Sequence, residues 1–230
     1  DLFLCDLPYG CLSSKTLEFK HESPTSVKRI AGCSWDIKID LEEFWKQVKR
    51  LCKNDKTPVI MFCNARFGFE LYNSNPAWFR YDLVWSKLNG VGFLGANKQP
   101  LRSHENIYVF AKKGATYYRK DIEGIPYFKK SKEEVCNHYN IKRLEGDNKG
   151  TRCVKSVIEI SQVKKRSQHP TAKPVDLYKW LIERYSKEGD TILDPTFGSG
   201  NSGIASKELN RNYIGIEKDE KFYSTWKLST

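Results

Sequence analysis

The stretch Asp194–Gly200, with the sequence DPTFGSG, decides the fold. It follows the apolar run Thr191–Leu193 and precedes Ile204–Leu209, so we expect a short strand, a glycine-rich turn and then a helix. Glycines let backbone N–H groups approach a ligand closely, and a helix N-terminus favours negative charge. The glycine spacing does not match the six-residue fingerprint of dinucleotide-binding proteins. An ordinary strand–turn–helix is the alternative that this stretch alone leaves open.

A carboxylate follows at the end of the next predicted strand. That strand covers Asn212–Ile216, and Glu217 comes seventeen residues after Gly200. In a doubly wound fold, an acid in this place can accept hydrogen bonds from both hydroxyls of an adenosyl ribose.

A second short motif, Asp6-Leu7-Pro8-Tyr9, follows the buried strand predicted over Asp1–Cys5. The carboxyl ends of strands in open sheets are where ligands bind. The Asp6 carboxylate and a backbone carbonyl can accept from an amino group, while the Tyr9 ring can stack on a flat heterocycle. A plain strand-terminating turn is the structural alternative.

The third motif is the hexapeptide His169–Pro174, with the sequence HPTAKP, placed just before an amphipathic helix. Its two prolines stiffen the backbone. The side chains of His169, Thr171 and Lys173 then offer donors suited to a carboxylate ligand. A proline-rich linker is the structural alternative.

Strand and helix patterns alternate on both sides of the region 114–166, which predicts an open α/β sheet. That region is basic and shows no long period, so we expect a catalytic and cofactor-binding domain at 1–113 and 167–230 with an insert at 114–166. Further predicted helices are Leu41–Leu51 capped by Asp40, Arg66–Tyr72, Pro174–Lys187 and Lys218–Lys227, and further strands are Pro58–Cys63, Arg80–Ser86 and Glu105–Lys112.

The composition of the 230 residues is that of a globular protein with a basic surface. There are 39 Lys+Arg against 28 Asp+Glu, a net charge of +11, and residues 112–170 hold 15 Lys+Arg against 7 Asp+Glu. Such a field favours a polyanion, most simply nucleic acid. The 7 cysteines form no CxxC pair, so we expect no metal and interpret them as reduced thiols of a cytosolic protein. We find neither a signal peptide nor a membrane-spanning run.

Together, the three motifs resemble those of the amino-group DNA methyltransferases that use S-adenosylmethionine. Asp6-Leu7-Pro8-Tyr9 is similar to their catalytic Asp-Pro-Pro-Tyr, and Asp194–Gly200 to their cofactor loop, Asp-Pro-Phe-x-Gly-x-Gly. His169–Pro174 is similar to a His-Pro-Thr-Glu-Lys-Pro stretch of many members. The catalytic motif comes first and a basic insert lies between, an order that resembles the beta class. Leu7 stands where Pro is usual, and Thr196 where Phe is usual.

The resemblance implies a Rossmann-like methyltransferase fold with circularly permuted motif order, in a mostly parallel sheet with one antiparallel hairpin strand. It also implies methyl transfer to the N6 amino group of a flipped-out adenine. The catalytic residues would be Asp6, Leu7, Pro8 and Tyr9. The residues around S-adenosylmethionine would be His169, Thr171, Lys173, Asp194, Pro195, Phe197, Gly198, Gly200, Asn201, Ser202 and Glu217.

The insert would be the target-recognition region, and double-stranded DNA the main partner. Members of the beta class are often dimers, and many act beside a restriction endonuclease. The expected DNA-binding residues are Lys129, Lys130, Lys142, Arg143, Arg152, Lys164, Lys165 and Arg166 in the insert, with Lys87 and Arg102 beside the loop Asn89–Asn97.

Four alternatives stay open at this point. The same motifs suit a cytosine N4 methyltransferase, an RNA adenine methyltransferase, or a non-catalytic nucleic-acid binder on the same fold. A nicotinamide-dependent oxidoreductase is disfavoured by the glycine spacing. Cytosine C5 methylation is disfavoured, because the enzymes that carry it out need a Pro-Cys nucleophile and no Cys in this chain follows Pro.

Overall fold

The computed structural model describes residues 1–11, 36–130, 132–136, 141–143, 145–162 and 171–229. Its strands are β1 (Leu2–Cys5), β2 (Val59–Cys63), β3 (Phe79–Val91), β4 (Arg102–Phe110), β5 (Ile122–Glu123), β6 (Tyr127–Lys129), β7 (Lys132–Cys136), β8 (Ile141–Arg143), β9 (Gly146–Asn148), β10 (Thr151–Arg152), β11 (Val157–Glu159), β12 (Thr191–Asp194) and β13 (Asn212–Gly215). Its α-helices are α1 (Leu41–Leu51), α2 (Ala65–Ser74), α3 (Val175–Tyr185), α4 (Asn201–Glu208) and α5 (Glu220–Ser229).

Seven strands form the main sheet in the order β11-β3-β4-β2-β1-β12-β13. Every neighbouring pair is parallel except the two pairs that involve β4, which runs antiparallel to both β2 and β3. The expected α/β fold, a mostly parallel sheet with one antiparallel hairpin strand, is therefore confirmed.

Helices cover both faces of this sheet, which explains why its central strands consist of unbroken apolar runs. Along β1, Leu2 and Leu4 join a core with α3, while Phe3 and Cys5 join a second core with α1 and α2. All five residues of β2 are fully buried. Because successive side chains of a strand point to opposite faces of the sheet, one strand contributes residues to both cores.

The helices begin where local capping chemistry favours it. The Asp40 carboxylate accepts from the backbone N–H groups of Glu42 and Glu43 at the start of α1. Asn64 caps α2 in the same way, through the N–H of Phe67. The helix α3 follows Pro174, whose fixed φ suits a helix start.

The chain changes direction across the sheet at the boundary between β1 and β12. From β1 it crosses to β2 on one side, and from β12 it crosses through α4 to β13 on the other. Because both crossovers leave from the carboxyl ends of neighbouring parallel strands, they part there and leave a crevice. This geometry identifies the β1–β12 boundary as the place to look for a ligand site.

The chain divides into two compact units, one of residues 1–117 with 156–230, the other Tyr118–Lys155. The second unit lies within the range 114–166 and contains three antiparallel strand pairs, β5–β10, β6–β9 and β7–β8. We predicted no strands there, since segments of two to five residues are too short to show a period. The strand β11 also lies in that range, yet it pairs with β3 in the main sheet.

Among the described residues, none of the helices combines the length and apolar character that a bilayer crossing requires.

Candidate functional site

Residues of all three motifs meet at the β1–β12 boundary, where Lys173 of the third motif contacts Asp6. The segment after β1 carries Asp6 and Tyr9, and the segment after β12 carries Thr196 and the glycines. The Thr196 hydroxyl donates to the backbone carbonyl of Asp6 at 3.1 Å, which joins the two segments directly. Thr196, where a Phe was expected by resemblance, therefore acts as the link between them.

The Asp6 carboxylate is held on both oxygens. Its Oδ1 accepts from the Tyr9 hydroxyl at 2.9 Å, and its Oδ2 accepts from the Lys173 ammonium at 2.6 Å. About a fifth of the Asp6 side chain remains exposed. Burial, followed by the Asp6 charge, raises the pKa of Tyr9 well above its ordinary value, so Tyr9 is a neutral donor.

The Tyr9 ring stacks on Phe67 of α2, with ring centroids 5.2 Å apart. This contact fixes the plane of the Tyr9 ring beside Asp6. Leu7, between them in sequence, points its side chain into the core and is 2% exposed. The motif thus combines a buried anchor with polar groups that face the crevice.

Lys173 is buried, and its ammonium lies between two carboxylates, Asp6 and Glu105. Burial alone would lower its pKa, but these two charges outweigh burial and raise the pKa of Lys173 above its ordinary value. Asn201, in the first turn of α4, donates to the Lys173 carbonyl at 2.7 Å. We expected Lys173 to point towards a cofactor; in the structure its ammonium contacts the Asp6 carboxylate instead.

The glycine-rich turn brings Glu217 beside it. The backbone N–H of Gly198 donates to one Glu217 oxygen at 2.8 Å, and the N–H of Asp219 donates to the other at 2.8 Å. A carboxylate has about four acceptor positions, so both oxygens can accept further hydrogen bonds. Residues from two different strand ends therefore form one polar surface.

Asp194 organises the interior of this turn. Its carboxylate accepts from the Thr196 N–H at 3.0 Å and from the Ser202 hydroxyl at 2.6 Å, and Ser202 also contacts the Tyr213 hydroxyl at 2.8 Å. Burial raises the pKa of Asp194 to about 7, against these hydrogen bonds, which lower it. Asp194 and Ser202, both buried, thus support the turn from below.

Gly200 has a structural requirement that the sequence did not suggest. Its φ is +76°, in the left-handed region, and a Cβ there would lie 1.7 Å from Trp226 of α5. Phe197 is 4% exposed and packs on the same tryptophan, with ring centroids 5.3 Å apart. The aromatic face of α5 therefore encloses the turn.

The residues that were expected to bind DNA differ in their exposure and in their contacts. Lys87 was expected at a DNA phosphate, but it is 5% exposed and its ammonium is paired with Glu105. Arg152 stacks on Tyr127 and donates to backbone and side-chain oxygens of its own unit, including the Thr151 carbonyl. Arg102, Lys129 and Lys130 are exposed.

The other predicted site residues are described only in part. Pro8, Pro195 and Thr171 lie beside the site residues in the chain, Pro8 and Pro195 partly buried and Thr171 exposed. Lys142 and Arg143 belong to β8. His169, Lys164, Lys165 and Arg166 lie outside the described residues.

Glu105, the fourth residue of β4, and Asp36 contact the site but were not predicted from the sequence. The Asp36 carboxylate accepts from the Gly10 N–H at 2.8 Å and so holds the end of the segment that follows β1. Neither residue lies in a recognisable motif. Only the odd placement of a charged residue in the predicted strand Glu105–Lys112 could have drawn attention to Glu105.

Comparison with protein families gives one match. The model of the N6/N4 methyltransferase family, described as DNA methylase, matches residues 1–228.

Similar curated proteins are type II methyltransferases. M2.MboI of Moraxella bovis is 35% identical over 228 residues, which make up 96% of this chain and 77% of that protein. M.HinfI of Haemophilus influenzae is 28% identical over 184 residues, 78% of this chain and 48% of that protein. The chain spans about half the length, or less, of the first several curated relatives.

Similar solved structures share the fold. The crystal structure of the M1.HpyAVI–SAM complex matches this chain with a TM-score of 0.61 at 22% identity. The match covers 100% of this chain and 88% of the M1.HpyAVI chain. The PvuII DNA methyltransferase, described as cytosine-N4-specific, has a TM-score of 0.57 at 12% identity, over 96% of this chain and 76% of its own.

Proposed function

The chain belongs to the N6/N4 DNA methylase family, and from this premise we propose that it transfers a methyl group from S-adenosylmethionine to the N6 amino group of an adenine in DNA. One observation carries the proposal. At the β1–β12 boundary, the segment that carries the Asp6 carboxylate lies beside the glycine-rich turn, joined to it by the hydrogen bond from the Thr196 hydroxyl to the Asp6 backbone carbonyl. A group that accepts hydrogens from an amine thus adjoins a turn suited to a nucleoside cofactor.

The residues present fit this cofactor. Glu217 lies at the carboxyl end of β13 with both oxygens in reach of further donors, as recognition of a ribose requires. Gly198 and Gly200 both have positive φ, so the turn adopts a backbone conformation that a side chain at either position would strain. Phe197, Asn201 and Ser202 complete the segment that would surround the cofactor.

The catalytic segment supplies acceptors for the amino group. The nitrogen lone pair of an exocyclic amine is delocalised into the base. Asp6 and the Leu7 carbonyl would accept its two hydrogens and turn the lone pair out of conjugation. Pro8 restricts the backbone between Leu7 and Tyr9, and Tyr9, fixed on Phe67, would stack on the base. Positioning of this kind can supply much of the rate.

When bound, S-adenosylmethionine supplies a methyl group on a sulfonium sulfur; the N–C bond forms as the S–C bond breaks, leaving a thioether and one proton released from the nitrogen. As an acceptor of one amino hydrogen, Asp6 would be the group to receive that proton. A paired base hides its amino group in the duplex, so the adenine must be flipped out at a cost of a few kcal/mol.

Adenine is favoured over cytosine because the tetrapeptide opens with Asp6, whereas the cytosine N4 members of this family commonly open it with Ser. We also place the chain in the beta class, since the catalytic motif precedes the cofactor turn with the unit Tyr118–Lys155 between them. That unit would be the target-recognition region. A second copy of the chain and a cognate restriction endonuclease are the protein partners that this class suggests.

Nucleoside mass spectrometry tests the proposal. The protein is incubated with isotopically labelled S-adenosylmethionine and either unmethylated duplex DNA or RNA, and the digested nucleosides are examined. Label on adenine N6 of DNA is the expected result. Label on cytosine N4 would overturn the choice of base, and label on RNA alone would overturn the choice of polymer.

The variant Asp6→Ala removes the proposed acceptor and is compared with the wild type in the same assay. It should abolish labelling while S-adenosylmethionine binding, measured by calorimetry, stays within a few-fold, because the acceptor is lost and the glycine-rich turn is kept. Labelling by this variant at the wild-type rate would show that Asp6 is not the catalytic acceptor. No label with either polymer, together with retained cofactor binding, would point to a non-catalytic binder.

A further inference from the structure

Four charged side chains form a continuous row that starts at the proposed catalytic carboxylate. Asp6 contacts Lys173 at 2.6 Å, Lys173 contacts Glu105 at 3.3 Å, and Glu105 contacts Lys87. The row runs from the segment after β1 to β4 and β3. Three of these four side chains are 15% exposed or less, and Asp6 is the most exposed at 20%.

The row has the balance that buried charges require. Its two carboxylates and two ammoniums alternate, so each charge inside the row touches opposite charges only. Burying such charges is costly unless each one is paired. The two lysines lower the pKa of Glu105 although its burial would raise it, which keeps this carboxyl ionised.

Each carboxylate contributes a different constraint on Lys173. If Asp6 were its one carboxylate contact, the Lys173 ammonium could move around that contact. The second contact, with Glu105, fixes the position of the ammonium. Lys87 in turn fixes Glu105, since the two form a close hydrogen-bonded pair. The ring of Trp85, 5.1 Å from the Lys87 ammonium, limits the movement of Lys87 itself.

We infer that Glu105 is a positioning residue for methyl transfer, held by Lys87, which keeps the Lys173 ammonium on Asp6 and thereby orients the Asp6 carboxylate towards the amino group. This inference rests on the proposed function. Neither Glu105 nor Lys87 belongs to one of the three motifs, and Glu105 is linked to the Asp6 carboxylate through its ion pair with Lys173.

Loss of Glu105 has a defined consequence. The Lys173 ammonium would then have Asp6 as its remaining carboxylate contact and would take a larger share of the Asp6 lone pairs. Besides Asp6 and Glu105, the groups that face Lys173 are Tyr9 and the Cys63 thiol, and Lys87 lies behind Glu105. Because the negative charge of Glu105 raises the pKa of Lys173, removing Glu105 lowers that pKa. Lys173 then loses its proton at a lower pH, so the rate of methyl transfer falls at a lower pH on the alkaline side of its profile.

The experiment must separate positioning from stability, because a buried ion pair also holds the fold. The double variant Lys87→Met with Glu105→Leu replaces the pair with apolar side chains, a change that is often neutral for stability. The single variant Glu105→Gln keeps the shape of the side chain and removes only its charge. Glu208→Gln is the control, since it removes a carboxylate from an exposed ion pair with Lys179.

The readouts are the melting temperature, S-adenosylmethionine affinity and the single-turnover rate of methyl transfer between pH 6 and pH 11. We expect the double variant to keep its melting temperature and its cofactor affinity within about threefold, yet to lose about 10- to 100-fold in rate, as a misplaced catalytic group does. Glu208→Gln should match the wild type throughout. A double variant that is stable and reacts within threefold of the wild type would overturn the inference.

A measurement without turnover keeps the inference separate from the proposed function. NMR titration of lysine side chains labelled at Cε, with Lys173 assigned by Lys173→Arg, follows the ammonium directly. In Glu105→Gln the Lys173 signal should titrate at a lower pH than in the wild type, and an unchanged titration would overturn the row of contacts. If the wild type methylates nothing but this shift is seen, the proposed function fails and the contact between Glu105 and Lys173 stands.

Discussion

Burial raises the pKa of the Asp194 carboxyl from its ordinary value to about 7. The folded protein holds its proton up to about pH 7, whereas in the unfolded chain the carboxyl titrates near its ordinary pKa of 3.8. Between these values the folded state binds more protons, so its free energy of unfolding falls as the pH rises.

We therefore expect wild-type stability to drop between pH 5 and pH 8 through Asp194, by about 2 to 3 kcal/mol. Asp194→Asn should remove this contribution, since the amide stays neutral and can still accept from Thr196 and donate to Ser202. Urea unfolding at the two pH values measures the difference. The exposed change Asp176→Asn is the control, and an Asp194→Asn variant with the wild-type pH dependence would contradict the assignment.

Gly200 offers a second test at the residue scale. An alanine there must adopt a left-handed φ and displace Trp226, so we expect Gly200→Ala to lose more than about 1 kcal/mol in free energy of unfolding. Gly114→Ala is the matched control, because a Cβ at Gly114 meets nothing within 4 Å. Equal stability of the two variants in urea would show that Trp226 does not pack against this turn.

At the scale of elements, the helices that the sequence predicted best are those with their own capping residue. The predicted and observed bounds of α1 agree, because Asp40 stops the preceding segment and Leu41, Phe44, Trp45, Val48 and Leu51 recur at helical spacing. The strand β3 was predicted too short. Its end, to Val91, lies in a glycine-containing stretch that only pairing with Arg102 of β4 makes extended.

The cap of α1 can be tested separately. Asp40→Ala leaves the N–H groups of Glu42 and Glu43 without their side-chain acceptor and should cost about 0.5 to 2 kcal/mol in free energy of unfolding. Lys46→Ala, exposed on the same helix, should change stability by less than about 0.5 kcal/mol. Thermal unfolding of the two variants decides the matter, and an Asp40→Ala variant as stable as Lys46→Ala would refute the capping role.

At the scale of the whole molecule, positive charge is concentrated in one part of the chain. Residues 112–170 hold 15 Lys+Arg against 7 Asp+Glu, although the whole chain carries only +11. Within the described residues of the unit Tyr118–Lys155, exposed lysines include Lys129, Lys130, Lys149 and Lys155. Since phosphate contacts release counterions, such a surface predicts DNA binding that weakens steeply with salt.

Replacing these four lysines with Gln should weaken DNA binding and reduce the slope of log K against log salt by about 3 to 4. The control carries four exposed lysines of the other unit changed to Gln: Lys46, Lys56, Lys187 and Lys207. Fluorescence anisotropy at several salt concentrations gives both slopes. If the two variants lose the same slope, the DNA contacts are not concentrated in the unit Tyr118–Lys155.

The sequence by itself determined the fold class and the two segments that meet at the site. The buried strands are unbroken apolar runs, and proline and glycine end them at Asp6–Gly10 and Asp194–Gly200, so neighbouring residues carry the whole signal. Side-chain partners far apart in the chain carry no such signal. Lys173 reaches Asp6 across 167 positions, and Trp226 covers Gly200 from the last helix.

Only the tertiary structure decided those contacts, because they depend on which strand ends the sheet places side by side. The same reason explains Glu105 and Lys87. Each looks like an ordinary charged residue near the end of a predicted strand, and each becomes a buried partner only when β3 and β4 pair. Local patterns predicted the segments that meet at the site, and the packing of distant strands decided which charged side chains lie beside them.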